Sequence, residues 1–408
     1  MRTSKNVLAG FLLVYSVISN AQKIATFVVD LPGTANVIEV PVSVDLRTLS
    51  NVDGALRLIE TTGGKSVPVP FQISSDRQQL YWVIKPGENK RVFELLKGRT
   101  PFFSLVEGTK DKGALTIRTG NQNLLRYAFQ TVYPPAGIDT AFKRSAFIHP
   151  LWTPHGQELT RIQAPDHYHH YGIWNPWTHV LFEGDTVDFW NLKDRKGTVR
   201  FAKFISEANG QVYSEFTVQH DHVAFKKDGK EKTALNELQT VRVYRSENGA
   251  DHYIVDVTIA MKCASQSPFQ ILTYRYGGLG WRATEKWKKD NSEVLTSESK
   301  TRKDADGSTA RWFFVQGSLD NDYGGLAWLS SPENYNHPEP LRIWPEDSNK
   351  GEMFSMFAPT KNKDWVLQPG QSYILKYRFV VFNGHFTKEK AEDAWQRYAV
   401  KPKIEIQK

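Results

Sequence analysis

The sequence predicts a mainly β protein: a small N-terminal β-sandwich module, then a larger antiparallel β domain that ends in one short helix. Three observations carry this. Short runs of β-branched and aromatic residues recur with a period of two; clusters of Gly, Pro, Asn and Asp bound most of them; and a helical period near the C-terminus closes the chain.

Taken in order, Met1–Asn6 carries Arg2 and Lys5 ahead of the mostly apolar run Val7–Ile18 and the small-residue pattern Ser19-Asn20-Ala21. This is the layout of a secretory signal peptide cleaved near Ala21, with an apolar core short of the roughly 20 residues a spanning helix needs. The remainder is expected in the periplasm or medium, without a lipid anchor because no cysteine follows the apolar run. Phe27–Leu31, Val37–Val44 and Leu80–Ile84 alternate as strands of the N-terminal module, residues 22–105. Asn89–Lys97 reads as a helical candidate within it. Leu115–Arg118, Thr240–Tyr244, Ile254–Cys263 and Tyr377–Phe382 are strands of the functional domain, residues 106–408. The polar stretch Glu285–Gly307 reads as a solvated insertion or a mobile loop over a cleft. Thr387–Tyr398 is the closing helix, with Thr387 as its cap and Ala391, Ala394, Trp395 and Tyr398 on one face.

The formal net charge of +8 falls to +6 without Arg2 and Lys5, a balance that favours acidic ligands such as uronates or sulfated sugars. No long Lys/Arg run marks a nucleic-acid tract, and beyond the leader no apolar segment is long enough to span a membrane. Cys263 is the single cysteine, so no internal disulfide forms, and its place on an alternating run makes it a buried, inert thiol.

The densest chemistry lies in Pro165–Trp174, where three of the 11 histidines sit with Asp166, Tyr168, Tyr171 and Trp174. Adjacent imidazoles lose solvation when buried and repel when protonated, so the cluster reads as a site that transfers or binds something. In an extended segment His167 and His169 share one face, and Asp166, Tyr168 and His170 share the other. The catalytic candidates are His167, Tyr168, His169 and His170, with Asp166 and with Arg161 for charge stabilisation. His149, Trp174, Trp177, Trp190, Arg282 and His337 are candidates for binding substrate, since aromatic faces stack on pyranose rings and guanidinium groups hold carboxylates or sulfates. Arg275, Arg342, Tyr274, Tyr276, Trp281 and Trp344 add to the same aromatic and cationic pattern, and Glu339 is a reserve carboxylate. The pattern requires no cofactor; the alternative is a divalent metal on His149, His167 and His169.

The order of several motifs also resembles a known family. His149–Pro154 with Gly156, Asp166–Trp174, Val187–Trp190, Gly277-Gly278-Leu279 with Arg282, Asn336-His337-Pro338 and Leu367–Gly370 are similar to the secreted bacterial "PmoA family", also labelled methane oxygenase PmoA. Tyr171 departs from it, since many relatives place Arg after the paired histidines. The resemblance covers roughly residues 107–385 and implies a galactose-mutarotase-like β-supersandwich associated with polysaccharide utilisation. The oxygenase label itself does not suit a chain without spanning segments.

The expectation is an exported carbohydrate-active enzyme, acting on a plant or algal oligosaccharide that may be acidic. As a lyase it would use the His/Tyr cluster for proton transfer; as a glycoside hydrolase it would need a carboxylate pair such as Asp166 and Asp188. The alternatives are a non-catalytic glycan-binding protein and a His-ligated metal-dependent oxygenase or isomerase.

Overall fold

The structure, a computed structural model, describes residues 22–33, 37–101, 103–245 and 249–408. The expected signal peptide lies outside the described residues. The N-terminal strands alternate as their sequence dictates: in Lys23–Asp30, Ala25, Phe27 and Val29 are buried while their neighbours face outward. They form a five-stranded sheet in the order Lys403–Gln407, Lys23–Asp30, Lys90–Lys97, Leu56–Thr62, Lys65–Val69. A three-stranded sheet of Val40–Asp45, Gln79–Ile84 and Phe71–Ile73 shares its core, where Phe27 stacks on Trp82 at 5.6 Å.

Two features of this module differ from the sequence reading. Asn89–Lys97 is not a helix: Lys90–Lys97 is a strand paired on both sides, with Phe93 and Leu95 in the core. An isolated helix of that length lacks support, whereas pairing on both edges overrides a marginal local period. The last strand, Lys403–Gln407, returns to pair with Lys23–Asp30, so the chain's final residues complete the N-terminal sheet and not the larger domain.

An eight-stranded antiparallel sheet of long strands, running from Gly197–Ala208 at one edge to Ser292–Thr296 at the other, and a nine-stranded sheet contribute to one apolar core. Alternation in the nine-stranded sheet separates two faces. Tyr127, Ile148, Ile173, Trp281 and Phe357 join the shared core, whereas Ala128, Phe147, Trp174, Phe354 and Met356 form a second apolar cluster on the opposite face. The histidines pack against that outer face, with His170 5.1 Å from the rings of Trp174 and Phe354.

Residues 285–307 expose many of their polar side chains, as a solvated insertion does, but the stretch is also anchored in the fold. Trp287 and Ala305 are fully buried, Ser292–Thr296 pairs with Trp312–Leu319, and Arg302 donates to the carbonyls of Trp344, Gly351 and Glu352. The polar composition is spent on tying down the 344–352 segment. The closing helix spans Lys388–Ala399, with Thr387 accepting from the Lys390 amide and Ala391 and Ala394 packed on Trp312 and Leu329. Cys263 is half-buried and donates to the Leu367 carbonyl.

Candidate active site

The three histidines stand on a short ribbon in which Ile162–Ala164 pairs with His167–Tyr171. The register steps from Ala164↔His167 to Ile162↔Tyr171, so four residues of one strand oppose two of the other. Gln163 takes a left-handed φ of 51°, and its side chain donates to the Tyr133 carbonyl and the Tyr171 hydroxyl. The bulge breaks strict alternation and turns all three imidazoles to one side. Ring centroids lie 5.3 Å apart for His167–His169, 4.6 Å for His167–His170 and 4.7 Å for His169–His170. The expected division of faces therefore does not hold: His170 joins the other two, while Tyr168 packs on Phe142 and stays outside the site.

These rings form one wall of a cavity of about 390 Å³, completed by Trp190, Asn191, Arg275, Tyr276, Arg342 and Trp344 among others. Among the described residues no Asp or Glu lines it. Asp166 stands behind the wall, its carboxylate 2.9 Å from His167 Nδ1 and 3.0 Å from the Arg282 guanidinium. A carboxylate on Nδ1 holds a hydrogen there and leaves the Nε2 lone pair available. Arg282 is fully buried, lies over the Trp344 ring at 4.6 Å, and also bonds Glu352, which Arg161 and Lys288 hold from the far side. The order Glu352–Arg282–Asp166–His167 is thus a partly exposed support for one imidazole, anchored on the buried Arg282. Burial works to raise the Asp166 carboxyl, but the hydrogen bond from His167 and the charge of Arg282 together hold it below the usual range.

Burial pushes His169 down to about 3 and His170 well below the ordinary value, so both are neutral hydrogen-bonding groups with little basicity. Across the cavity, Tyr276 packs on Trp190 at 5.0 Å, and its hydroxyl lies 3.3 Å from Asn191 Oδ1. Burial raises this phenol to about 12, which keeps it protonated. The remaining wall is cationic. Arg342 and Lys361 share a single carboxylate, Asp306, at 2.6 and 2.9 Å, and Arg275 is exposed between the rings of Tyr274 and Tyr276 with no carboxylate partner among the described residues.

Several expected site residues lie elsewhere. His149 donates to or accepts from Thr160 at 2.9 Å and, with Arg161, lines a separate cavity; Arg161 is consumed by Glu352 and Glu285. The metal set His149, His167 and His169 is therefore not brought together, and among the described residues no group of three His, Cys, Asp or Glu side chains is placed to hold a metal ion. Trp177 is a core residue against Trp365, and Trp174 lies behind His170 and Trp190 without lining the cavity. Arg282 supports the wall and does not reach the cavity. His337 stacks on Trp395 of the closing helix, beside Ser330. Asp188 cannot pair with Asp166 as a hydrolytic couple, because it is committed to the Trp190 and Asn191 amides and to Thr178. Sequence reasoning missed Glu352, Asn191, Asn349 and Phe354. Only Asn191 carried a signal, as the neighbour of Trp190.

Residues 114–396 match the family described as "Family of unknown function (DUF6807)". The chain belongs to the DUF6807 family. No curated protein matches this family member. Among solved structures, the heparan sulfate lyase HepC of Pedobacter heparinus aligns with 71% of this chain at 10% identity and a TM-score of 0.33. The alignment spans 38% of that protein's length.

Proposed function

We propose that this DUF6807 chain is an exported carbohydrate-active lyase that cleaves acidic oligosaccharides by β-elimination, with His167 as its base. The kinship to the PmoA family, the export and the sugar substrate are parts of the same proposal. The observation that carries it is the Asp166–His167 pair opening into a cavity that holds an uncompensated arginine and aromatic rings but no carboxylate. Most glycosidases need two carboxyl groups flanking the scissile bond, and among the described residues this lining offers none.

In the elimination, the carboxylate of a uronate lies against Arg275 and Arg342, which stabilise the charge that builds on it as the adjacent C–H bond breaks. His167 Nε2 takes that proton. The electron pair forms a C=C bond as the bond to the glycosidic oxygen breaks, and the Tyr276 hydroxyl protonates the leaving oxygen. Exchange with solvent returns the proton from the imidazolium to the phenolate. His169 and His170, kept neutral by burial, hydrogen-bond sugar hydroxyls, and Trp344 and Trp190 supply stacking faces.

The test is an assay of the purified protein against uronate-containing oligosaccharides, following the ultraviolet absorbance of the unsaturated product. His167→Ala is expected to lower kcat about 10²–10⁴-fold. Undiminished product from that variant would overturn the assignment, and calorimetric binding without turnover of any substrate would make the protein a glycan-binding one. Arg275→Ala is expected to raise KM about tenfold or more, as the loss of a charge-assisted contact to the bound carboxylate.

A further inference from the structure

A second cavity, of about 420 Å³, lies on the far side of the segment that carries Trp190 and Asn191. Its lining includes Lys143, Arg144, Leu192, Arg195 and Arg200, with Glu231 as the one carboxylate. Two of the four cations are neutralised: Arg200 forms a bidentate pair with Glu231 at 2.6 and 2.7 Å, and Arg195 is held by Asp139 at 2.7 Å. Lys143 and Arg144 are not, since neither has a carboxylate within salt-bridge distance among the described residues. Lys143 is exposed at the rim.

Arg144 is the unusual member. It is only 2% exposed, yet its recorded partner is the carbonyl of Phe189, at 2.7 Å, and its Nε has no hydrogen-bond partner. A guanidinium taken out of water without a paired carboxylate is costly, and burial lowers its pKa to about 10 against the weaker opposing influence of Tyr171 and Asp188. An anion in the cavity would offset its charge. The position relative to the histidine cavity is equally informative. Asn191 lines one cavity and Leu192, the next residue, lines the other, so the two cavities are neighbours at that wall. Arg144 lines the second cavity, and its charge is felt by His169 and His170 in the wall of the first.

We propose that this second cavity binds an anionic substituent, a carboxylate or a sulfate ester, on a sugar unit next to the reacting one, so that the substrate is a polyanionic chain and not an isolated uronate. This rests on the reading of the histidine cavity as an acidic-saccharide site. The arrangement matches a repeating acidic polymer, because adjacent units present their charges to adjacent cavities and gain from both at once.

The experiment compares dimers and hexamers of two series, oligogalacturonate (carboxylate only) and chondroitin sulfate (carboxylate and sulfate), by calorimetry on the full chain and on Lys143→Glu and Arg275→Ala. Lys143 is exposed, so its reversal should leave folding intact, which circular dichroism checks. Wild type should bind the hexamer of at least one series about tenfold more tightly than the dimer, and Lys143→Glu should reduce that ratio to about twofold or less. The series that shows the effect identifies the substituent. Arg275→Ala should weaken dimer and hexamer alike. A hexamer-to-dimer ratio near one in wild type, or one unchanged in Lys143→Glu, overturns the second site and leaves the histidine cavity's assignment standing. If no oligomer of either series binds, the histidine-cavity reading fails, and inorganic sulfate then decides the second site alone: a larger rise of Tm in wild type than in Lys143→Glu supports an anion site, and equal rises overturn it.

Discussion

At the residue scale, the proposed elimination depends on which of three adjacent imidazoles can act as a base. Burial makes His169 and His170 poor bases. His167 differs by its carboxylate partner, which sets the tautomer that the proposed elimination requires. Asp166 is therefore a positioning residue. Asp166→Asn is expected to lower kcat by about 10²-fold with little change in KM, and to shift the pH profile of kcat, which a purely structural role would not do. Asp166→Glu should recover part of the rate. An unchanged profile with a proportional loss of folded protein would make Asp166 only a packing residue.

At the element scale, the convergence of the histidines is a property of the ribbon, and the ribbon depends on Gly172. This residue has φ 58°, and a Cβ there would lie 2.2 Å from the Ile148 carbonyl oxygen, a contact no rotamer can relieve. It lets the chain pass from His167–Tyr171 into Ile173–Trp174 of the nine-stranded sheet while donating from its amide to Arg161. Gly172→Ala is expected to cost about 1–3 kcal/mol or more in urea unfolding, and to reduce turnover beyond the loss of folded protein because the imidazole wall shifts. Full stability in the variant would show that the ribbon adapts and that the bulge does not set the site.

At the scale of the whole molecule, two buried glutamates between and beside the sheets oppose each other in pH. Burial would raise Glu237, but hydrogen bonds from His220 and His222 outweigh it and hold the carboxyl at about 2 against an ordinary 4.5. Its contribution to stability is present above 4.5 and is lost as pH falls towards 2. Glu339 is raised by burial to about 7 despite accepting from Ser330, Asn334 and Tyr377, so the folded state keeps a proton that the unfolded chain has released. Its contribution is complete below 4.5 and is lost as pH rises through 7. Wild type should therefore lose stability, on the order of a few kcal/mol, between about pH 5 and 8, and Glu339→Gln should flatten that decline in denaturant unfolding. A decline of equal size in the variant would assign it to other groups.

Much of the architecture was legible from local pattern. The period of two marked most strands, and the cap and one-sided apolar face of 387–398 marked the helix, because each reports which side of an element is buried and needs no knowledge of the partner. The His/Asp/Tyr cluster was legible by composition alone. What local pattern missed depends on partners distant in the chain. Lys90–Lys97 is a strand because two other strands flank it, and Glu285–Gly307 is anchored because Trp287 and Arg302 find burial and carbonyls far along the sequence. The same holds for the site. The sequence by itself determined that histidines, arginines and large aromatics would gather on a β scaffold. Only the tertiary structure decided that Arg275, Tyr276, Arg342 and Trp344 share a cavity with His167, that His149, Arg161, Trp177 and His337 do not, and that Asp166 serves the wall from behind. A bulge of two residues and the pairing of sheets bring such groups together, and neither leaves a periodic trace in the chain.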